Sequence, residues 1–155
     1  MKPLTETATE VWHELATHHA KPFETAQARI FAISAEGFSR MLVTGGDVYR
    51  ALDQVTEYNL NADEIGIGVE TCGWAAPVSE GKTAKQKRDN ELAPSEHPKR
   101  RRCRLITLVN LDEQAGSALG FSDEPDEVIT DAGQAKGSLA DALITAMRTI
   151  IGKNN

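Results

Sequence analysis

The five residues Glu70-Thr71-Cys72-Gly73-Trp74 place a carboxylate, a thiol and an indole in one short run. A cysteine attacks as its thiolate, which needs a base or a nearby cation to form. His97 is the next imidazole along the chain, and the cations of Arg101 to Arg104 follow it. One reading is therefore a cysteine-dependent enzyme centred on Cys72, with His97 as base, Glu70 as the adjacent carboxylate and backbone donors near Gly73. Against it, a buried Cys most often behaves as a small apolar group. His97 also falls in a polar stretch that offers a base little positioning. The chemistry leans away from an enzyme.

The second feature is Lys99-Arg100-Arg101-Arg102-Cys103-Arg104, five cations in six residues. Such a run neutralises phosphates, the sequence-independent part of nucleic-acid affinity, so residues 82–104 form a candidate nucleic-acid surface. The chain as a whole carries net charge −6. Residues 79–104 carry +5 and the remainder −11, and that acidic remainder repels a polyanion. The acidic run Asp123-Glu124-Pro125-Asp126-Glu127 offers an internal balance. A symmetric hairpin about 110–116 would set Arg102 opposite Glu124 and Arg100 opposite Asp126, and cross-strand pairs of opposite charge are favourable. Trp74, Lys99, Arg100, Arg101, Arg102 and Arg104 are thus the candidate binding residues.

Other clusters carry less. His13, His18, His19 and His97 lack zinc-ligand spacing, and there is no Cys-x-x-Cys. No metal site and no cofactor are expected. Thr44-Gly45-Gly46-Asp47 falls far short of a phosphate-binding loop and reads as a strand-to-helix turn with its own cap. Glu36 has no second carboxylate placed beside it.

Composition sets the frame for these residues. The chain has 155 residues, 40% hydrophobic and 26% charged, which suits one globular domain over 1–155. No run approaches the roughly 18 apolar residues of a membrane span, and the first residues lack a signal-like apolar core. The expectation is a cytoplasmic protein without membrane contact. With only Cys72 and Cys103 present, two reduced thiols are the default, and one bridge between neighbouring strands stays open.

Periodicity supplies the elements. Ala8, Val11, Trp12 and Leu15 recur at helical spacing over 7–17, after a capping-box pattern at Thr7–Glu10. Residues 26–34 and 39–44 read as a hairpin around Gly37, and Val48, Ala51, Leu52 and Val55 as a helix face. Residues 65–78 are strand-like, with Gly66 and Gly68 thinning one face as though another part of the chain lies close. Residues 79–99 lack periodicity and read as a long, flexible polar loop. Residues 100–110 and 117–122 form a second hairpin, 128–130 an edge strand, and Leu139 to Ile150 a final helix.

The order α-β-β-α-β-β-β-α, with short turns between successive strands, predicts an α+β fold: a two-layer arrangement with a mostly antiparallel sheet of about five strands. That element order resembles the roadblock/longin and profilin-like group of small domains, a resemblance of order over most of the chain. The function expected is a non-catalytic binding or regulatory protein that works through protein–protein contacts, with itself as a homodimer or with another protein. Nucleic-acid association through 82–104 and cysteine chemistry at Cys72 are the alternatives.

Overall fold

The computed structural model describes residues 2–76, 80–130 and 138–153. Four helices and six strands run in the order α1 (Leu4–Ala16), β1 (Ala28–Ser34), β2 (Gly37–Gly45), α2 (Val48–Val55), β3 (Glu64–Ala75), α3 (Ala84–Glu91), β4 (Arg101–Asn110), β5 (Ala115–Phe121), β6 (Glu124–Thr130) and α4 (Ser138–Lys153). The strands form one open sheet, β2-β1-β3-β4-β5-β6, antiparallel throughout. Its strand count is six rather than about five. The difference is Glu124–Thr130, where a full seven-residue strand extends well beyond 128–130.

Alternation along the strands decides which helix covers which face. Ile30, Ala32, Ile67 and Val69 pack with Ala51, Leu52 and Val55 of α2 and Leu143, Met147 and Ile150 of α4. Phe31, Ile33, Ile106 and Leu108 pack with Ala8, Val11, Trp12 and Leu15 of α1. The molecule is therefore three layers, α1 on one face and α2 with α4 on the other, not two. Both faces of β1 are buried, so apolar residues fill the consecutive positions from Ile30 to Ile33.

The glycine-thinned face is the α1 face. A Cβ on Gly68 would lie 2.4 Å from Leu108 and 2.6 Å from the Phe31 ring, and one on Gly120 would lie 2.3 Å from Trp12. The absent side chains thus make room for the aromatics that seat α1. That helix starts one turn earlier than its capping-box pattern suggests. Pro3 occupies the N-cap with φ −59°, and the Thr7 amide bonds its carbonyl at 3.2 Å. At α2 the cap is the one expected: the Asp47 side chain accepts from the amides of Tyr49 and Arg50.

The stretch read as a loop over 79–99 holds more structure at its described positions, 80–99, than its composition suggests. Thr83 and Gln86 form a capping box at the start of α3, and a 3-10 turn follows at Pro94–Glu96. No residue of α3 is buried, so local capping rather than an apolar stripe defines it. The strand read over 65–78 ends at Ala75, and positions 77–78 lie outside the described residues.

Glu64 ties β3 to the outer strand β2. Its carboxylate accepts from Arg40 Nε at 3.0 Å, Ser39 Oγ at 2.8 Å and the Asn61 amide at 2.6 Å. Burial pushes its pKa up, but the bonds from Arg40, Asn61 and Ser39 outweigh this and hold it below the ordinary carboxylate value. A depressed folded pKa contributes stability above the unfolded pKa and loses it as pH falls through the folded one. Glu64→Gln is therefore expected to flatten the acid limb of a stability-versus-pH profile measured by urea unfolding. Gly68→Ala is expected to cost about 1–3 kcal/mol by overpacking against Phe31 and Leu108. Gly73→Ala, whose added carbon meets nothing within 4 Å, provides the control in the same assay.

Candidate functional site

The β3–β4 ladder sorts the candidate residues. Its register sets Trp74 opposite Arg102 and Cys72 opposite Arg104, all four on the α1 face. Gly73 and Cys103 pair on the other face. The four arginines consequently meet three different fates.

Arg104 goes inward and is fully buried, as is Glu70. Arg104 Nε donates to Glu70 Oε2 at 2.7 Å and NH1 to the Trp12 carbonyl at 2.8 Å. NH2 makes an ion-pair contact with the same Glu70 oxygen, outside hydrogen-bond alignment. The other Glu70 oxygen lies 3.0 Å from His19 Nε2. Trp12 closes the group, with its Nε1 donating to the Arg104 carbonyl at 3.2 Å and its ring 4.8 Å from the guanidinium. Arg104 and Glu70 therefore join the sheet to α1 and present no surface to a partner.

Arg101 points to the opposite face and is neutralised there. It makes a two-pronged contact with Asp123, at 2.9 and 2.7 Å, and a third bond to Glu124 at 3.0 Å. The hydrogen bond to Asp123 raises the Arg101 pKa and lowers that of Asp123. This corrects the symmetric pairing of Arg102 with Glu124 and Arg100 with Asp126. The chain reverses at 122–123, so Phe121 pairs with both Cys103 and Glu124. The acidic run then travels back along the outer side of β5 instead of continuing beside β4.

Arg100 and Arg102 converge on Trp74. Their guanidinium carbons lie 5.0 and 5.1 Å from its ring centroid, within cation–π range. Arg102 Nε donates to the Phe23 carbonyl at 2.7 Å, and Arg100 NH1 to the His97 carbonyl at 3.2 Å. Among the described residues, no carboxylate lies within 4.0 Å of either cation, whereas Arg101 and Arg104 both have one. Lys99 is exposed at the base of this strand.

Beside Trp74 opens a cleft of about 450 Å³ lined by Lys21, Phe23, Glu24, Trp74, Arg102 and Ser122. Its far wall is the 3-10 turn Pro22–Glu24. Three contacts clamp that turn: Arg102 on the Phe23 carbonyl, Cys72 Sγ on the Pro22 carbonyl at 3.2 Å, and Phe23 edge-on to Trp12 at 5.8 Å. Lys21 and Phe23 carry no signal that finds them from sequence, and the histidine spacing that singles out His19 points to no site. His19 and Phe23 are placed through contacts with strands some fifty to eighty residues away, and Lys21 comes with them as the residue before the clamped Pro22.

Cys72 and His97 are not bonded to each other. Cys72 also lies 3.0 Å from Thr25 Oγ1, so its partners are a hydroxyl and a carbonyl. His97 is buried rather than held in a solvated loop, and its Nδ1 accepts the Lys99 amide at 3.0 Å. Both cysteines are free thiols, and burial pushes the Cys103 thiol up. No group of three or more His, Cys, Asp or Glu suited to a metal occurs among the described residues. Among the same residues, no helix is long and apolar enough to cross a membrane.

Comparison with protein-family models, curated proteins and solved structures finds no significant match.

Removing one partner of a buried ion pair strands the other charge, at a cost of roughly 3–5 kcal/mol. Glu70→Gln is expected to lose stability on that scale in urea unfolding. The double replacement Glu70→Leu/Arg104→Met, which removes both charges, should recover much of it.

Proposed function

We propose that this protein is a non-catalytic binding module that meets a protein partner through the cleft between Trp74 and the 3-10 turn Pro22–Glu24. One observation carries the reading. Two arginines without a carboxylate partner among the described residues flank a tryptophan that is 38% exposed, beside an apolar-walled cleft. Trp and Arg are the residues that most often dominate binding energy at protein interfaces, above all where a pocket desolvates them. The cleft wall is fixed to the sheet by hydrogen bonds, so little ordering cost falls on the binding step.

The nucleic-acid reading of 82–104 draws less support. Lys82 pairs with Glu80, Arg101 with Asp123 and Glu124, and Arg104 with Glu70. Among the described residues, no base is bonded to Cys72, whose partners are the Thr25 hydroxyl and the Pro22 carbonyl. The resemblance to roadblock/longin and profilin-like domains concerns element order alone and lends the proposal no weight. A cytoplasmic setting belongs to the proposal, and two unpaired thiols accord with it.

The test is site-specific photo-crosslinking in cells. A benzophenone side chain at position 74 should give a discrete higher-mass adduct, while the same group at Tyr58, exposed on the α2 side, should not. Adducts at neither position, or equal adducts at both, would remove the basis of the proposal.

A further inference from the structure

We infer that the part of the partner received by this cleft is a short acidic segment, which seats one bulky apolar side chain against Phe23 and Trp74 and sets its carboxylates on Arg102 and Arg100. This rests on the reading of the cleft as a protein-binding site.

The cations decide the chemistry. Arg101 and Arg104 are spent on Asp123, Glu124 and Glu70. Among the described residues, Arg102 is bonded through Nε to the Phe23 carbonyl and Arg100 through NH1 to the His97 carbonyl, and neither meets a carboxylate. A guanidinium carries five N–H donors in one plane. Stacking on an indole uses its face and leaves the edge donors free, so both arginines keep donors for a ligand. Resting against the Trp74 ring also orders them before binding, which lowers the cost of the contact. A carboxylate is the protein group that matches such a fork, with two parallel bonds. One acid, Glu24, lines the cleft, but it lies 3.7 Å from Lys21 on the same wall. Those two exposed charges offset each other and leave the arginines to set the local field.

Placement sets the form of the ligand. Trp74 and Arg102 face each other across the β3–β4 ladder and line the cleft, with Pro22 and Phe23 as its apolar wall. Arg100 is exposed, two residues before Arg102, and lies outside the cleft. Same-side residues on an extended chain are about 6.5–7 Å apart. A ligand that fills about 450 Å³ and still reaches Arg100 therefore extends beyond the cleft. An extended peptide with acids at alternate positions repeats the spacing of the two arginines.

A nucleic-acid strand fits this surface less well. Single-strand sites offer open aromatic faces to the bases, and here guanidinium groups already lie over the Trp74 ring. The net charge of −6 repels a long polyanion, whereas a short acidic segment meets mainly the local cations.

Selection of a random-peptide phage library on the immobilised full chain tests this, followed by anisotropy titration of the enriched peptide carrying fluorescein. Enriched sequences should combine a bulky apolar residue with two or more Asp or Glu, and affinity should fall as NaCl is added. Arg100→Gln/Arg102→Gln and Trp74→Ala should each weaken binding at least tenfold, as should replacing the peptide's acids with their amides. Arg50→Gln/Arg148→Gln, exposed on the helices of the other face, removes the same charge and should stay within about twofold of wild type. Should the double variant misfold by circular dichroism, exposed Arg100→Gln alone carries the test, with at least a threefold loss. The inference is overturned if no peptide enriches, if the enriched peptides are neutral or basic, or if a single-stranded oligothymidylate binds more tightly through the same arginines. If neutral peptides still require Trp74, or position 74 crosslinks to a protein in cells, the cleft reading stands and only the acidic partner falls. Acidic peptides indifferent to Trp74→Ala remove both.

Discussion

The buried contact between Arg104 and Glu70 is the constraint on which the rest of the molecule depends. Two opposite charges have been taken out of water, and every polar neighbour around them is a member of the fold: the Trp12 carbonyl and indole, His19, and the two strands that carry the pair. A buried ion pair seldom adds much net stability over an apolar core of the same volume. Its effect here is geometric. Only one position of α1 satisfies Arg104, and only one path of the chain after α1 brings His19 to Glu70. That path delivers Pro22 and Phe23 to the end of β3 and β4, where they become a wall of the cleft.

This accounts for the division of labour within the arginine run. Consecutive side chains on a strand face opposite ways, and distance along the strand changes burial. Arg104 sits under α1, Arg102 just beyond the helix beside Phe23, and Arg100 at the open end, while Arg101 looks across the sheet to Asp123. A sequence that reads as one basic patch becomes a buried tie, a surface ion pair and an open aromatic–arginine site. Composition describes the run, and strand parity assigns its parts.

Much of the architecture was legible from pattern. The helix stripes of α1, α2 and α4, the Gly37 hairpin and the β4–β5 hairpin all follow from short-range periodicity and turn chemistry. The third layer was not, because a stripe shows that a helix must dock and not on which face. The sixth strand was read only over 128–130, because Glu124-Pro125-Asp126-Glu127 has no alternation to announce it, being an exposed edge. Helix α3 has no apolar stripe at all. At the site, the proximity of Trp74 to the arginines was raised by sequence as a question, and register answers it. The parts supplied by His19 and Phe23 depend on long-range contacts that no local pattern encodes.

The topology also bears on how the chain assembles. From β3 onward each strand pairs with its predecessor, so β3 to β6 build as successive hairpins once the 76–100 excursion is spanned. Trp12 bonds to a residue 92 positions away, and closing so long a loop carries an entropic cost that local contacts cannot repay in advance. The N-terminal helix is therefore held by contacts that form only when the ends of this long loop meet. Until it docks, Arg104 and Glu70 stay wet, Gly68 and Gly120 border an empty trough, and the cleft lacks its wall. Completion of the fold and completion of the binding surface are, on this chain, the same event.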